Sequence, residues 1–135
     1  MAFIGGDVVS VSYKHPTLGN GTWYPKSNED ATIDKGGYQA TDDQNMITSA
    51  GDSITQINRK RWEVEVTCAW DTQNTDEVGQ ANLLAGNPID ADWTFEHING
   101  TIWGAKGRPV GEVKGSSDKA TFKVKLSGGG NLLQL

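Results

Sequence analysis

Ser53, within Gly51-Asp52-Ser53-Ile54, is the serine whose neighbours best suggest nucleophilic catalysis. A hydroxyl becomes a nucleophile when a nearby base takes its proton and a strand–turn–helix holds it up to the substrate. His15 and His97 are the two candidate bases. They fall in a loop and a hairpin, neither beside an Asp-x-x-His segment, and Ser53 has an irregular loop before it and a short strand after. Two histidines and one cysteine at distant positions have no zinc-ligand spacing. Asp30, Asp34, Asp42, Asp43 and Asp52 are an acidic scatter without the alternation and following glycine of a calcium loop. The glycines of Gly107-Arg108-Pro109-Val110-Gly111 lie between strands, where no helix start could bind phosphate. The sequence therefore assigns no catalytic residue, no metal ligand and no cofactor. Five tryptophans allow another chemistry, stacking on sugar rings. Trp62, Trp70 and Trp93 fall on apolar strand faces, whereas Trp23 with Tyr24, and Trp103, are less constrained.

The elements that would position these groups are mostly strands. In Lys60-Arg61-Trp62-Glu63-Val64-Glu65-Val66-Thr67-Cys68-Ala69-Trp70, apolar and polar residues alternate strictly, which gives a strand with one buried and one wet face. Cys68 belongs to the apolar set and reads as a buried core thiol. One helix follows. Asn74 is its expected N-cap with Glu77 three residues on; Val78, Ala81, Leu84 and Ala85 form its apolar stripe; Gly86 and Pro88 end it. Asn99-Gly100 predicts a type I′ turn joining two arms, the first bearing Trp93, Phe95 and His97 on one side. A last hairpin turns at Gly115-Ser116-Ser117-Asp118, with Ala120, Phe122, Val124 and Leu126 apolar and Thr121, Lys123 and Lys125 polar. An early strand places Val9, Val11 and Tyr13 together. Ala31 to Asp34 and Ser53 to Ile57 are shorter candidates. Lys14–Gly21 and Lys35–Asp52 show no periodicity and read as long loops, of the kind that serve function or order against a partner.

The expected fold is mainly β, a β-barrel or sandwich with one flanking α-helix and long irregular loops, in a single domain spanning 1–135. Composition agrees: of 135 residues, 36% are hydrophobic and 21% charged, with 17 glycines for turns and bulges and 4 prolines. No stretch approaches the roughly 20 apolar residues of a membrane span. No secretory leader is read at the start, and one cysteine excludes an internal disulfide framework. A net charge of −5 argues against broad binding to nucleic-acid phosphates. The segment 127–135, Ser-Gly-Gly-Gly-Asn-Leu-Leu-Gln-Leu, reads as a flexible glycine-rich tail with an apolar tip.

The segments 31–43, 58–71, 76–86, 95–113 and 120–132 together resemble the tail tube proteins of contractile-tailed bacteriophages. The resemblance lies in their order: early strand, long loop, central strand, one helix, closing strands and a glycine-rich tail. It implies a structural virion protein with no enzymatic activity, whose hexameric rings stack into a hollow tube. Such a subunit is assembled in the host cytoplasm and found in the phage tail. It meets copies of itself, the sheath, the tape-measure protein, and the baseplate and tail terminator proteins, while genomic DNA passes without specific binding and no membrane is involved. Baseplate tube initiators and the type VI secretion ring protein share that fold and are alternatives. A carbohydrate-binding β-sandwich and an esterase using Ser53 are rivals of other classes.

On this resemblance Glu63, Glu65, Lys123 and Lys125 are the candidate lumen or wall face. The negative charge of Glu63 and Glu65 would repel DNA from such a wall. Lys35, Tyr38, Asp42, Asp43, Asn45 and Met46 lie in the candidate inter-ring loop. Leu132, Leu133 and Leu135 are the candidate C-terminal plug for a neighbouring subunit, so truncation after Leu126 is expected to spare folding and impair assembly.

Overall fold

The computed structural model describes residues 2–135. It is mainly β, with strands β1 (Val8–His15), β2 (Gly19–Trp23), β3 (Thr32–Asp34), β4 (Gly37–Ala40), β5 (Ile57–Lys60), β6 (Trp62–Ala69), β7 (Ala91–His97), β8 (Ile102–Ser116), β9 (Thr121–Gly128) and β10 (Leu133–Gln134), and one helix, α1 (Glu77–Gly86). The main antiparallel sheet runs β2-β1-β7-β8-β9-β6-β3, with β10 beside β8; β4 and β5 form a separate pair. The chain just after β2 then reaches the far edge of β6. Pro25 bridges Cys68, Lys26 N–H donates to the Thr67 carbonyl at 2.9 Å, and Ala69 N–H donates to that of Tyr24 at 2.8 Å. These contacts close the sheet on itself, so the body is a barrel whose main edges are mutually satisfied.

Strand alternation fills the interior. Trp62, Val64, Val66 and Cys68 of β6 point inward, against Phe122, Val124 and Leu126 of β9 and Trp93 and Phe95 of β7. Tyr13, Trp23, Trp93 and Phe122 form one aromatic cluster with ring centroids 5.3–5.6 Å apart, in tilted or edge-to-face pairs. α1 packs against β8 through Ala81 and Leu84 and supplies the polar partner that this cluster needs. The Gln80 Oε1 accepts from Tyr13 Oη (3.2 Å) and Trp23 Nε1 (3.1 Å), while Gln80 Nε2 donates to the Thr75 carbonyl at 2.8 Å. Gln80→Leu strands both donors, and it should destabilise by about 1–3 kcal/mol in denaturant titration.

Several local expectations are corrected. The helix N-cap is Asp76, in left-handed geometry (φ 42°) and accepting from Gly79 N–H, rather than Asn74. Asn74 instead donates its N–H to Asp71 Oδ1, in a turn that precedes the helix. Gly86 is the last helical residue, and Asn87 is the C-cap. The β7–β8 turn has three residues: Gly100 N–H returns to the His97 carbonyl, and only Gly100 takes positive φ (91°). A type I turn followed by a left-handed glycine fits these bonds, because Asn99 stays at negative φ. A register shift between Val8 and Ser10 turns Val9 outward and Val8 inward. Ala120 lies in the β8–β9 turn with φ 51°, exposed, and is not part of the apolar face. Lys14–Gly21 is no long loop, since β1 and β2 pair directly from His15↔Gly19 to Val11↔Trp23. The strand expected at 53–57 lies instead at Ile57–Lys60.

The tail is neither free nor available as a plug throughout. Ser127 and Gly128 complete β9, and Ser127 Oγ donates to the Trp62 carbonyl at 2.7 Å. After Gly129-Gly130 the chain folds back. Leu132 is buried in its own core, its N–H donates to the Lys35 carbonyl, and Leu133 and Gln134 pair with Gly104 and Trp103 of β8. Truncation after Leu126 would therefore uncover the core and the β8 edge. Leu132→Ala alone should cost about 2–5 kcal/mol, measured as a shift in the unfolding midpoint.

Candidate functional site

Residues 37–60 form an arm that leaves the barrel. β4 and β5 pair from Gly37↔Lys60 to Ala40↔Ile57. Thr41 N–H donates to the Gln56 carbonyl, Ile54 N–H to that of Met46, and Thr48 and Gly51 close the tip. The stretch read as a loop without periodicity is thus one long, irregular hairpin. Its residues are exposed almost throughout, with Tyr38, Ile47, Ile54 and Ile57 all presenting apolar surface to solvent. None contributes to the core. The root is fixed by Gly36, at φ 76°, where a Cβ would lie 2.7 Å from the Trp62 backbone nitrogen. Lys35 anchors the root through its carbonyl, and Asp34 accepts from Gly36 N–H at 2.9 Å.

Within the arm, Tyr38 and Arg59 face each other across the ladder. The Arg59 guanidinium donates to Tyr38 Oη through Nε (3.1 Å) and Nη2 (2.8 Å), with its carbon 5.2 Å from the ring centroid. Asp43 Oδ1 accepts from Asn45 N–H and shapes the turn, Met46 is half-buried, and Asp42 is exposed. The six proposed loop residues thus span the arm and its root: Lys35 at the root, Tyr38 on β4, and the other four toward the tip. Between the arm root and the tail lies a groove of about 560 Å³, lined by Tyr38, Arg59, Arg61, Gly129, Gly130 and Leu133 among others.

The proposed wall face is brought together on β6 and β9. Glu65 sits opposite Lys125 and Thr67 opposite Lys123. Lys123 Nζ lies 2.7 Å from Glu65, Lys125 Nζ 3.6 Å from Glu63, and Arg61 Nη2 3.2 Å from Glu63. Asp34 on β3 pairs with Lys60 at 2.7 Å. The expectation of bare negative charge at Glu63 and Glu65 is therefore corrected, since the face is a lattice of paired charges. Hydrogen bonding to Lys123 holds the Glu65 carboxyl below its ordinary pKa, and hydrogen bonding to Lys60 does the same for Asp34. Backbone N–H groups of Asn74 and Gln73 lower that of Asp71. A carboxylate with a depressed folded pKa stabilises the fold above its ordinary pKa, and that contribution is lost as pH falls through the depressed value. Stability should therefore hold from neutrality down to about pH 4 and decline below it, as followed by thermal melts across pH.

The residues weighed for catalysis are not assembled. Ser53 is exposed in the arm, bridged to Ile47. His15 is buried in the body: Nδ1 accepts from Thr17 and Leu18 N–H (3.0 Å each), which leaves Nε2–H to donate to the Ile89 carbonyl at 2.9 Å. His97 Nδ1 accepts from Asn99 N–H, and its ring meets Trp103 edge-on. Burial pushes the Cys68 thiol up to about 12, which keeps it protonated. No group of three or more potential metal ligands gathers among the described residues. Trp23, thought less constrained, is fully buried; Trp70 and Trp103 are half-covered, so no tryptophan lies open as a sugar platform. Among the described residues, no helix is long and apolar enough to cross a membrane.

The sequence reading missed the groove. Its one signal was the aromatic–cation pair Tyr38 and Arg59, which becomes legible only once 37–40 and 57–60 are recognised as partners. Neither the protein-family models nor the curated proteins compared with this chain include a match to it.

Proposed function

We propose that this chain is the subunit of a phage tail tube, a structural protein that forms hexameric rings stacked into a hollow conduit for DNA. The observation that carries this reading is the arm. A two-stranded hairpin is marginal in water without a third strand or an apolar surface to lie on. This one exposes Tyr38, Ile47, Ile54 and Ile57 and buries nothing in its own core. Such an element is suited to ordering against another copy. The closed barrel beneath it gives a rigid body on which repeated contacts can build.

In this role the paired charges of Glu63, Glu65, Lys123 and Lys125 make a hydrated surface of little net charge, to which a passing polyanion gains nothing by binding. Sheath, tape-measure, baseplate and terminator proteins are the further partners that the reading implies, in the phage tail. A tube initiator or a type VI ring subunit would use the same body. The sugar-binding alternative is weakened by the covered tryptophans, which leave Phe3, Tyr24 and Tyr38 as the exposed aromatic rings.

Negative-stain electron microscopy of the purified chain over a concentration series tests the proposal. Rings of six or hollow filaments are expected at high concentration. Single particles at every concentration, together with tryptophan quenching by oligosaccharides, would replace it with the carbohydrate module.

A further inference from the structure

We infer that the groove at the arm root receives the acidic start of α1, around Asp71, Asp76 and Glu77, of the next copy, so that successive subunits meet head to tail. The inference rests on the tube reading and names the two surfaces that meet. The groove and the start of α1 lie toward opposite ends of β6, whereas Asp90, beyond the end of the helix, comes back beside Arg61 and Gly129 at the groove side. Trp62, at one end, neighbours Gly128 and the arm root; Ala69, at the other, leads through Trp70 toward α1. Eight residues of strand set these ends about 25 Å apart. Two different surfaces at opposite ends give a heterologous contact that propagates along an axis, unlike a self-complementary patch, which closes as a dimer.

Charge and shape favour this pairing. Residues 71–90 carry Asp71, Asp76, Glu77 and Asp90 and no Lys or Arg. Asp90 is held by Arg108 at 2.6 Å. Among the described residues, Asp71, Asp76 and Glu77 have no cationic partner; they accept only from backbone N–H groups, the Trp70 indole and the Thr75 hydroxyl. At the groove, Arg59 has no carboxylate partner among the described residues and is aimed by Tyr38 alone. Unpaired cation and unpaired carboxylates therefore stand at opposite ends of the same molecule. Each is accompanied by apolar surface: Leu133 (60% exposed) and Tyr38 (68%) at the groove, Leu83 (64%) on the helix. Gly129 and Gly130 line the groove, and a Cβ at either would meet nothing within 4 Å, so a helix can approach that backbone closely.

Cross-linking tests the contact. Chains carrying Gly129→Cys are mixed with chains carrying Leu83→Cys and treated with a short bis-maleimide, while the buried Cys68 stays inert. The expected result is a band of twice the chain mass in the mixture, much stronger than with either variant alone. In parallel, Arg59→Glu should raise the concentration needed for assembly about tenfold, and Arg59→Lys should raise it less. Tubes without the mixed band would overturn the inference and leave the tube reading standing. A mixed band in assemblies that are not hollow would uphold the contact and remove the tube. A Leu83→Cys band without its partner would show a symmetric helix–helix dimer and sink the head-to-tail arrangement.

Discussion

On the tube reading, joining Ala40 to Ile57 through a short Gly-Ser turn, in place of residues 41–56, is expected to abolish assembly while leaving the barrel folded. The arm has no member in the core, and the Gly37–Lys60 ladder at its base would remain to hold the root. Shortening an exposed loop changes only its closure entropy, a stabilising effect of about 1–2 kcal/mol at most. Filaments should disappear from micrographs, while the unfolding midpoint and the β-sheet circular dichroism stay near those of the parent. Collapse of the dichroism signal would show that the arm is structural; unchanged filaments would place the assembly surface elsewhere. The contrast is large because one loss is nearly complete and the other nearly nil.

The second large effect concerns Gly128→Ala. Here β9 passes β8 so closely that an added Cβ would lie 2.1 Å from the Lys106 carbonyl oxygen and 2.7 Å from Gly107 Cα. Both obstacles are backbone. The opposing Gly107 is equally confined, with the Ser127 carbonyl 2.3 Å and a Trp62 ring atom 2.6 Å from its hypothetical Cβ. Moving either strand would disturb the hydrogen bonds from Trp62 Nε1 to the Lys106 carbonyl (3.0 Å) and from Trp93 Nε1 to the Gly107 carbonyl (2.9 Å). A loss of about 3 kcal/mol is expected in equilibrium unfolding. Gly129→Ala, one residue on, meets open space and serves as the control, with little change expected. Equal effects at the two positions would show that chain flexibility, rather than close approach, governs this crossing.

The long strands were legible in the sequence because their alternation reports burial directly. Trp62 to Cys68 and Phe122 to Leu126 needed only a period of two. Val9 was misplaced because a bulge adds one residue to a strand, and alternation alone carries no sign of where it falls. The helix was found from its stripe, yet its cap was misjudged. Asn74 and Asp76 are both good capping residues, and the bonds that Asp71 makes to Gln73 and Asn74 decide between them. Arm and tail were hardest. The tail has a glycine run that suggests freedom, but Leu132 finds a hydrophobic site made by residues far along the chain. The arm faces solvent on all sides, so it has no buried face from which a pattern could arise. Strand parity alone puts Glu63 and Glu65 on one face of β6 and Lys123 and Lys125 on one face of β9, whereas their mutual neutralisation depended on the register between the two strands.

Ile98 N–H donates to the Asp7 carbonyl, and Leu135 N–H donates to that of Ile102. Both bonds fall beside the β7–β8 turn, so the chain joins the barrel at Asp7 and leaves it at Leu135 beside the same turn, with Phe3 and Ile4 exposed before the first point and Leu135 exposed at the second. A bulky fluorescent protein fused at either end would consequently crowd the same pole of the barrel and leave the helical pole clear. If the chains assemble as proposed, such a fusion mixed sparingly with untagged chains would act as a one-sided stopper, halting elongation in one direction while the opposite direction continued. The direction that survives would reveal the polarity of the filament.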